Sequence, residues 1–253
     1  MVQMLARERQ QRIVELISQK GAVSISRLVV ELGVSVSTVR RDIDVLAKAG
    51  QVVRVHGGAT SASSFSYETR DRAMDEKYQI NASQKDAIGR YAASLIEPGD
   101  FVYIDAGSTT EALVNHIETP DATYVTNSIV HARKLVRKGF RTLMVGGELK
   151  RSTEALVGPE VLDGLDRYHF TKGFWGTNGA TRAQGYTTPD VNEAQVKHLS
   201  MKHTGVRYVL CDADKIGRVA PVTFAPFSSA CLITTGLTNE VYKKLPNVVE
   251  ISV

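Results

Sequence analysis

GVSVSTVRRDIDVLAKAGQVVRVHGGA, Gly33 to Ala59, holds a helix and a hairpin in one short run. Val39, Ile43 and Leu46 recur at i, i+4 and i+7, the spacing of a buried helix face, so they are predicted core. Ser35 or Ser37 can cap this helix at its start, and Gly50 stops it after Lys48. Asp42 and Asp44 lie near that start, where a carboxylate suits the positive end of the helix dipole. Beyond Gly50, Val53 and Val55 alternate with Arg54 and His56 before the Gly57-Gly58 turn, the pattern of a small hairpin. Upstream, a short helix is predicted from Ser24 or Ser26 as N-cap to Leu32, closed by Gly33. Another runs from Met4 to Gln19, with Leu5, Ile13, Val14, Leu16 and Ile17 at helical spacing and Gly21 ending it. Helix, helix, turn, helix and hairpin make a winged helix-turn-helix over residues 4–59, with Met4 an alternative start to Met1.

The third helix carries the chemistry. Ser35, Ser37 and Thr38 set hydroxyls at its N-terminus, where free backbone N–H groups also hold phosphate. Arg40 and Arg41 follow one turn in. Adjacent side chains on a helix point ~100° apart, so one can enter a groove while the other meets the backbone or an acid. Arginine offers a bidentate fork to guanine edges, and serine and threonine read several bases or phosphates. Arg40 has an alternative partner in Asp44 at i+4. His56 either approaches the DNA or is a plain turn residue. Charge agrees with a polyanion at this end: residues 1–60 hold nine Lys/Arg against five acids, and the other 193 residues are balanced at 22 each.

At 253 residues the chain is long enough for two domains or one large one, and 43% hydrophobic with 23% charged is ordinary for a soluble globular protein. No apolar run approaches the ~20 residues that span a bilayer, and the N-terminus lacks the apolar stretch of a secretory signal. A cytoplasmic protein with no membrane partner is expected. Cys211 and Cys231 each sit in a strand-like apolar run without metal or disulfide spacing. They read as buried thiols in a reducing compartment, and no metal or cofactor is called for.

Residues 60–83 are polar and aperiodic and read as a linker, with room for a short helix. From residue 84 to 253 helices and strands alternate: KDAIGRYAASLI, DFVYIDA, TTEALVNHI, DATYVTN, SIVHARKLVRK and RTLMVGGEL, then strand-and-turn FTKGFWGTNGA, helix DVNEAQVKHLSMKH, and strands RYVLCDA and SACLITTG. That pattern predicts a Rossmann-like α/β domain with a mostly parallel sheet. Ligands of such sheets bind beyond the carboxyl ends of the strands. Those ends read Asp105-Ala-Gly107-Ser108-Thr109-Thr110, Thr126-Asn127-Ser128, Gly146-Gly147-Glu148, Gly176-Thr177-Asn178-Gly179 and Asp212-Ala213-Asp214-Lys215. Gly107 lets backbone approach an anion, and Ser108, Thr109 and Thr110 add hydroxyls at a helix N-terminus. Lys215 and Arg151 are candidate counter-charges for a phosphate, and Asp105, Asn127 and Asn178 are candidates for sugar hydroxyls. Singly each is a turn residue; their convergence on one sheet edge points to an anionic polyol.

A sugar-phosphate isomerase is the enzymatic alternative, and it needs a general base. The segment GFWGTNGATRAQG has no Asp, Glu or His. Glu148 and Glu193 remain, and Glu193 can simply pair with Lys197 at i+4. No catalytic residue is assigned. A ligand-free architectural DNA-binding protein leaves the strand-end residues unexplained.

These residues also carry a resemblance. Gly33 to Ala59 resembles the DNA-binding signature of the DeoR family of bacterial transcriptional regulators. The likeness continues through AASLIEPGDFVYIDAGSTT, VTNS, VGGELKRSTEALVG, GTNG, GYTTPDVNEAQVKHLSM and DADKIG. It implies a winged-helix repressor joined to a sugar-isomerase-type α/β domain that senses a phosphorylated sugar or related metabolite. By that resemblance Ser35, Ser37, Thr38, Arg40, Arg41, Arg54 and His56 take the DNA-contact region. Asp105, Gly107, Ser108, Thr109, Thr110, Asn127, Gly146, Gly147, Arg151, Asn178 and Lys215 take the effector pocket. GTNGATRAQGYTTPD looks most like fructose-operon regulators, which suggests fructose 1-phosphate. Double-stranded operator DNA is the implied partner, bound by a homodimer or homotetramer.

Overall fold

The computed structural model describes residues 5–20, 22–49, 51–55, 57–61 and 74–252. The chain divides into two compact units, residues 1–66 with 238–244 and residues 67–237 with 245–253. The first is built from α1 (Ala6–Lys20), β1 (Ala22–Ser24), α2 (Ile25–Leu32), α3 (Val36–Lys48), β2 (Val52–Val55) and β3 (Gly58–Ser61).

Ser24 and Ser35 are the N-caps of α2 and α3: their Oγ atoms accept from Arg27 N at 3.3 Å and Thr38 N at 3.2 Å. Gly33 closes α2 in the left-handed conformation at φ 63°, where a Cβ is strained. Gly21, Gly50 and His56 lie outside the described residues. Ile13, Leu16, Ile17, Leu28, Val39, Ile43 and Leu46 share one buried cluster. Leu5, assigned to the same face, is exposed because it precedes the first turn of α1. Asp42 does not serve the helix dipole. It is buried and ties α3 to α1, accepting from Arg9 Nε at 2.5 Å, Arg9 Nη2 at 3.1 Å and Gln10 Nε2 at 3.2 Å. The hairpin gains an unforeseen third strand: β1 pairs antiparallel with β3, in the order β1-β3-β2.

The second unit opens with α4 (Met74–Gln79) and α5 (Ala82–Ala93), inside and across the stretch read as linker. Then follow β4 (Phe101–Ile104), α6 (Ser108–His116), β5 (Thr123–Thr126), α7 (Ile129–Arg137), β6 (Arg141–Met144), β7 (Glu148–Lys150), β8 (Ala155–Val157) and α8 (Pro159–Leu165). The chain continues as β9 (Phe170–Gly176), β10 (Gly179–Thr181), β11 (Gly185–Thr188), α9 (Val191–Lys202), β12 (Thr204–Leu210), β13 (Val222–Ala225), β14 (Cys231–Thr235), α10 (Glu240–Lys243) and β15 (Val248–Ile251). Of these, α10 groups with the first unit.

Seven strands form a wholly parallel sheet in the order β15-β14-β12-β9-β4-β5-β6. Val102, Ile104 and Tyr124 send side chains into one core with Ile88, Leu113, Val114 and Leu135 of α5, α6 and α7. Tyr103 points the other way, against Trp175. Trp175 Nε1 donates to Ser200 Oγ of α9 at 2.9 Å, so α9 covers the opposite face. RTLMVGGEL is not one strand: β6 ends at Met144, and β7 leaves the sheet to pair with β8. The residues after β9 build a separate antiparallel sheet, β10-β11-β13.

The order of the parallel strands locates the site. The chain lays β5 and β6 to one side of β4, then returns to place β9 on its other side. The connections diverge between β4 and β9, and a crevice opens at the carboxyl ends of a sheet at such a switch point.

Candidate functional site

On the first unit, the N-terminus of α3 is a cluster of hydroxyls. Ser35 Oγ lies 2.8 Å from Ser37 Oγ and 2.9 Å from Thr38 Oγ1. Arg40 and Arg41 are exposed, and among the described residues neither has an ion-pair partner. The alternative partner for Arg40 is taken elsewhere: Asp44 accepts from Arg54 Nη1 of β2 at 2.9 Å. Helix α3 and strand β2 are thereby linked, and Arg40 and Arg41 stay exposed.

On the second unit, a cleft with about 740 Å³ of empty volume, its open mouth included, sits at the β4–β9 switch point. Five sequence-selected residues line it: Gly107, Ser108, Thr109, Asn178 and Lys215. Asp105 lies beneath, buried, its carboxylate bonded to Lys197 Nζ and to Gly176 N at 3.2 Å. That pair rivets the ends of β4 and β9 to α9. Burial pushes the Asp105 carboxyl above its ordinary value, against the pull of Lys197.

Other selected residues are spent on shape. Thr110 is buried and its Oγ1 donates to Gly107 O at 2.9 Å. Asn127 accepts from Ala106 N at 3.0 Å and donates to Leu156 O at 3.2 Å, bracing the loop that carries Gly107. Gly146 and Gly147 turn the chain from β6 into β7; a Cβ on Gly147 would lie 2.4 Å from Val161 Cγ2. Neither these glycines nor Arg151, which is exposed, is among the lining residues.

Sequence reading missed Lys77, Lys85, Thr153 and Lys197 as lining residues; Asp212 it named only as a strand end and Glu193 only as a stray base, and both line the cleft. Lys85 donates to Lys77 O, and burial lowers its ammonium to about 8 against the pull of Asp212. Its signal was present: Lys85 shares an inward stripe with Ile88 and Ala92, a lysine where the period asks for an apolar residue. Glu193 does not pair with Lys197. Its Oε1 accepts from Lys150 at 3.0 Å and Thr153 Oγ1 at 2.8 Å, and its Oε2 lies 3.4 Å from Thr188 Oγ1. Asn81 Nδ2 holds the loop before Lys215, donating to Asp212 at 3.2 Å and Asp214 at 2.9 Å. Cys211 and Cys231 are free thiols, and burial pushes both up. Among the described residues no His, Cys, Asp and Glu group could hold a metal ion, and no helix is long and apolar enough to cross a membrane.

Residues 9–65 match the DeoR-like helix-turn-helix domain and residues 80–236 the DeoR C terminal sensor domain. The chain belongs to the DeoR family. This DeoR-family protein is 39% identical over 233 residues, 92% of each chain, to the uncharacterized HTH-type transcriptional regulator FruR of Bacillus subtilis (strain 168). It is 32% identical over 227 residues to a lactose phosphotransferase system repressor of Staphylococcus epidermidis, covering 88% of this chain and 87% of that one. Among solved structures, ribose 5-phosphate isomerase A from Methanocaldococcus jannaschii aligns with a TM-score of 0.40 at 14% identity, over 54% of this chain and 55% of that one. Like its relatives in the family, this DeoR-family protein is a transcriptional regulator.

Proposed function

We propose that this regulator represses a carbohydrate uptake or catabolism operon and leaves its operator when a phosphorylated sugar fills the β4–β9 cleft. The observation that carries the reading is one cleft combining the Ser108–Thr109 helix N-terminus, Lys85 and Lys215 with the polar groups of Asn178 and Glu193. A helix N-terminus with lysines suits a phosphate; the amide and carboxylate suit hydroxyls. Asp105, Thr110, Asn127, Gly146 and Gly147 act here by shaping the loops. Ser35, Ser37, Thr38, Arg40 and Arg41 read DNA, and Arg54 joins them by exchanging Asp44 for a phosphate. The likeness of GTNGATRAQGYTTPD to fructose-operon regulators makes fructose 1-phosphate the first ligand to test. Release requires only that the effector bind one of two states better. A cytoplasmic homodimer or homotetramer matches a two-fold operator.

The test is a gel-shift titration of the full chain on DNA enriched by the protein from a random-sequence pool. Release by a phosphorylated sugar is expected. Enriched DNA that no phosphorylated sugar releases refutes the sensing claim, and failure to enrich any sequence refutes the reader.

A further inference from the structure

The two faces of the sheet give the cleft unlike walls. On the α5–α6 face stand Lys85 and the hydroxyls of Ser108 and Thr109. On the α9 face stands Glu193, with its helix neighbour Lys197 already bonded to Asp105 and Gly176 O. Glu193 is buried and oriented by Lys150, Thr153 and Thr188. A carboxylate only accepts, at about four lone-pair sites. Two contacts occupy Oε1 and one long contact touches Oε2, so this cleft-lining carboxylate keeps capacity for a further donor. A sugar hydroxyl can donate to it. A second phosphate cannot: it would set acceptor against acceptor and negative charge against negative charge in a poorly hydrated wall.

We infer that Glu193 is the specificity-determining residue of the cleft, selecting sugars with one phosphate by receiving hydroxyls at the far end and rejecting bisphosphates. This rests on the sugar-phosphate reading above.

The test is calorimetric titration of the full chain with two matched pairs, fructose 1-phosphate against fructose 1,6-bisphosphate and glucose 6-phosphate against glucose 1,6-bisphosphate, and with inorganic phosphate. The wild type is expected to prefer a monophosphate by about tenfold or more, the scale of a hydrogen bond to a charged group. Glu193→Gln keeps the shape, removes the charge and adds a donor, so the preference should collapse about tenfold while inorganic phosphate binds as before. Thr153→Val keeps the carboxylate and should weaken monophosphates while still rejecting bisphosphates. An unchanged preference in Glu193→Gln overturns the inference and leaves the sugar-phosphate reading standing. So does a wild type that binds both members of a pair equally, or a variant in which inorganic phosphate gains as much as the bisphosphate. A wild type that binds none of the four sugars sinks both.

Discussion

Replacing Lys197 by methionine removes the cation bonded to Asp105 while nearly keeping the volume. The two side chains are 5% and 3% exposed, so the carboxylate would lose its partner without gaining water. Removing one member of a buried pair costs roughly 3–5 kcal/mol. Gly176 N still donates to Asp105 at 3.2 Å, which places the expected loss at the lower end, about 3 kcal/mol near neutral pH. Burial already holds the Asp105 carboxyl above its ordinary value; without the lysine it rises further. Between about 4, the ordinary aspartate value, and that raised value, the folded state then binds more protons than the unfolded one. Stability should therefore fall as pH rises through this window, by at most ~1.4 kcal/mol per pH unit, and level off above it. Urea unfolding reports this cleanly because Trp175, the single tryptophan, is buried beside Gly176. The double variant Lys197→Met, Asp105→Asn leaves no charge at this buried pair and should recover much of the loss. A Lys197→Met protein within about 1 kcal/mol of wild type, or one whose stability does not fall with rising pH, refutes the reasoning.

Arg40→Ala and Arg41→Ala should each cost roughly 1–3 kcal/mol of operator binding where the arginine forks onto a base, read by gel shift; if neither weakens binding, α3 is not the recognition helix. With Lys85 held near 8, phosphate-ester affinity should fall as pH rises through about 8, and Lys85→Met should abolish the slope in a calorimetric pH series. Gly89→Ala would bring a Cβ to 2.5 Å from the backbone of Ala112 and Leu113. Overpacking of roughly 1–3 kcal/mol should outweigh the helix-propensity gain of about 1 kcal/mol, and melting should show a less stable protein with weaker effector binding through displaced α6.

Much of this was legible from local pattern. Ser24, Ser35 and Gly33 each satisfy a helix end through a bond within a few residues, so spacing suffices to find them. Gly107, Ser108, Asn178 and Lys215 could be expected at one cleft, which they line, because strand ends converge in any parallel sheet. The strand β1 was not, since three residues show no period and its partner lies over thirty residues on. Lys85, Glu193 and Lys197 were hidden because a charge on an amphipathic helix reads as solvated until the packed face is known. Asp105 and Asn127 looked like ligands for the same reason in reverse: a polar side chain at a strand end serves a ligand or the neighbouring loop, and only the tertiary partner decides.

Folding reaches the cleft late. Its walls meet only when β4 joins β9, pairing Val102 with Lys172 and Ile104 with Phe174. At their amino ends the two strands are tied by Phe101 N donating to Thr171 Oγ1 across 70 residues. Closure entropy for such a loop must be met before the pairing rewards it. The first unit is fastened over a shorter span, 33 residues for the bond from Arg9 to Asp42. Domains fold from the N-terminus as synthesis proceeds. Each nascent chain thus passes through an interval in which α1 to β3 have all been synthesised, while α10 of the same unit and the cleft of the second unit have not yet been made.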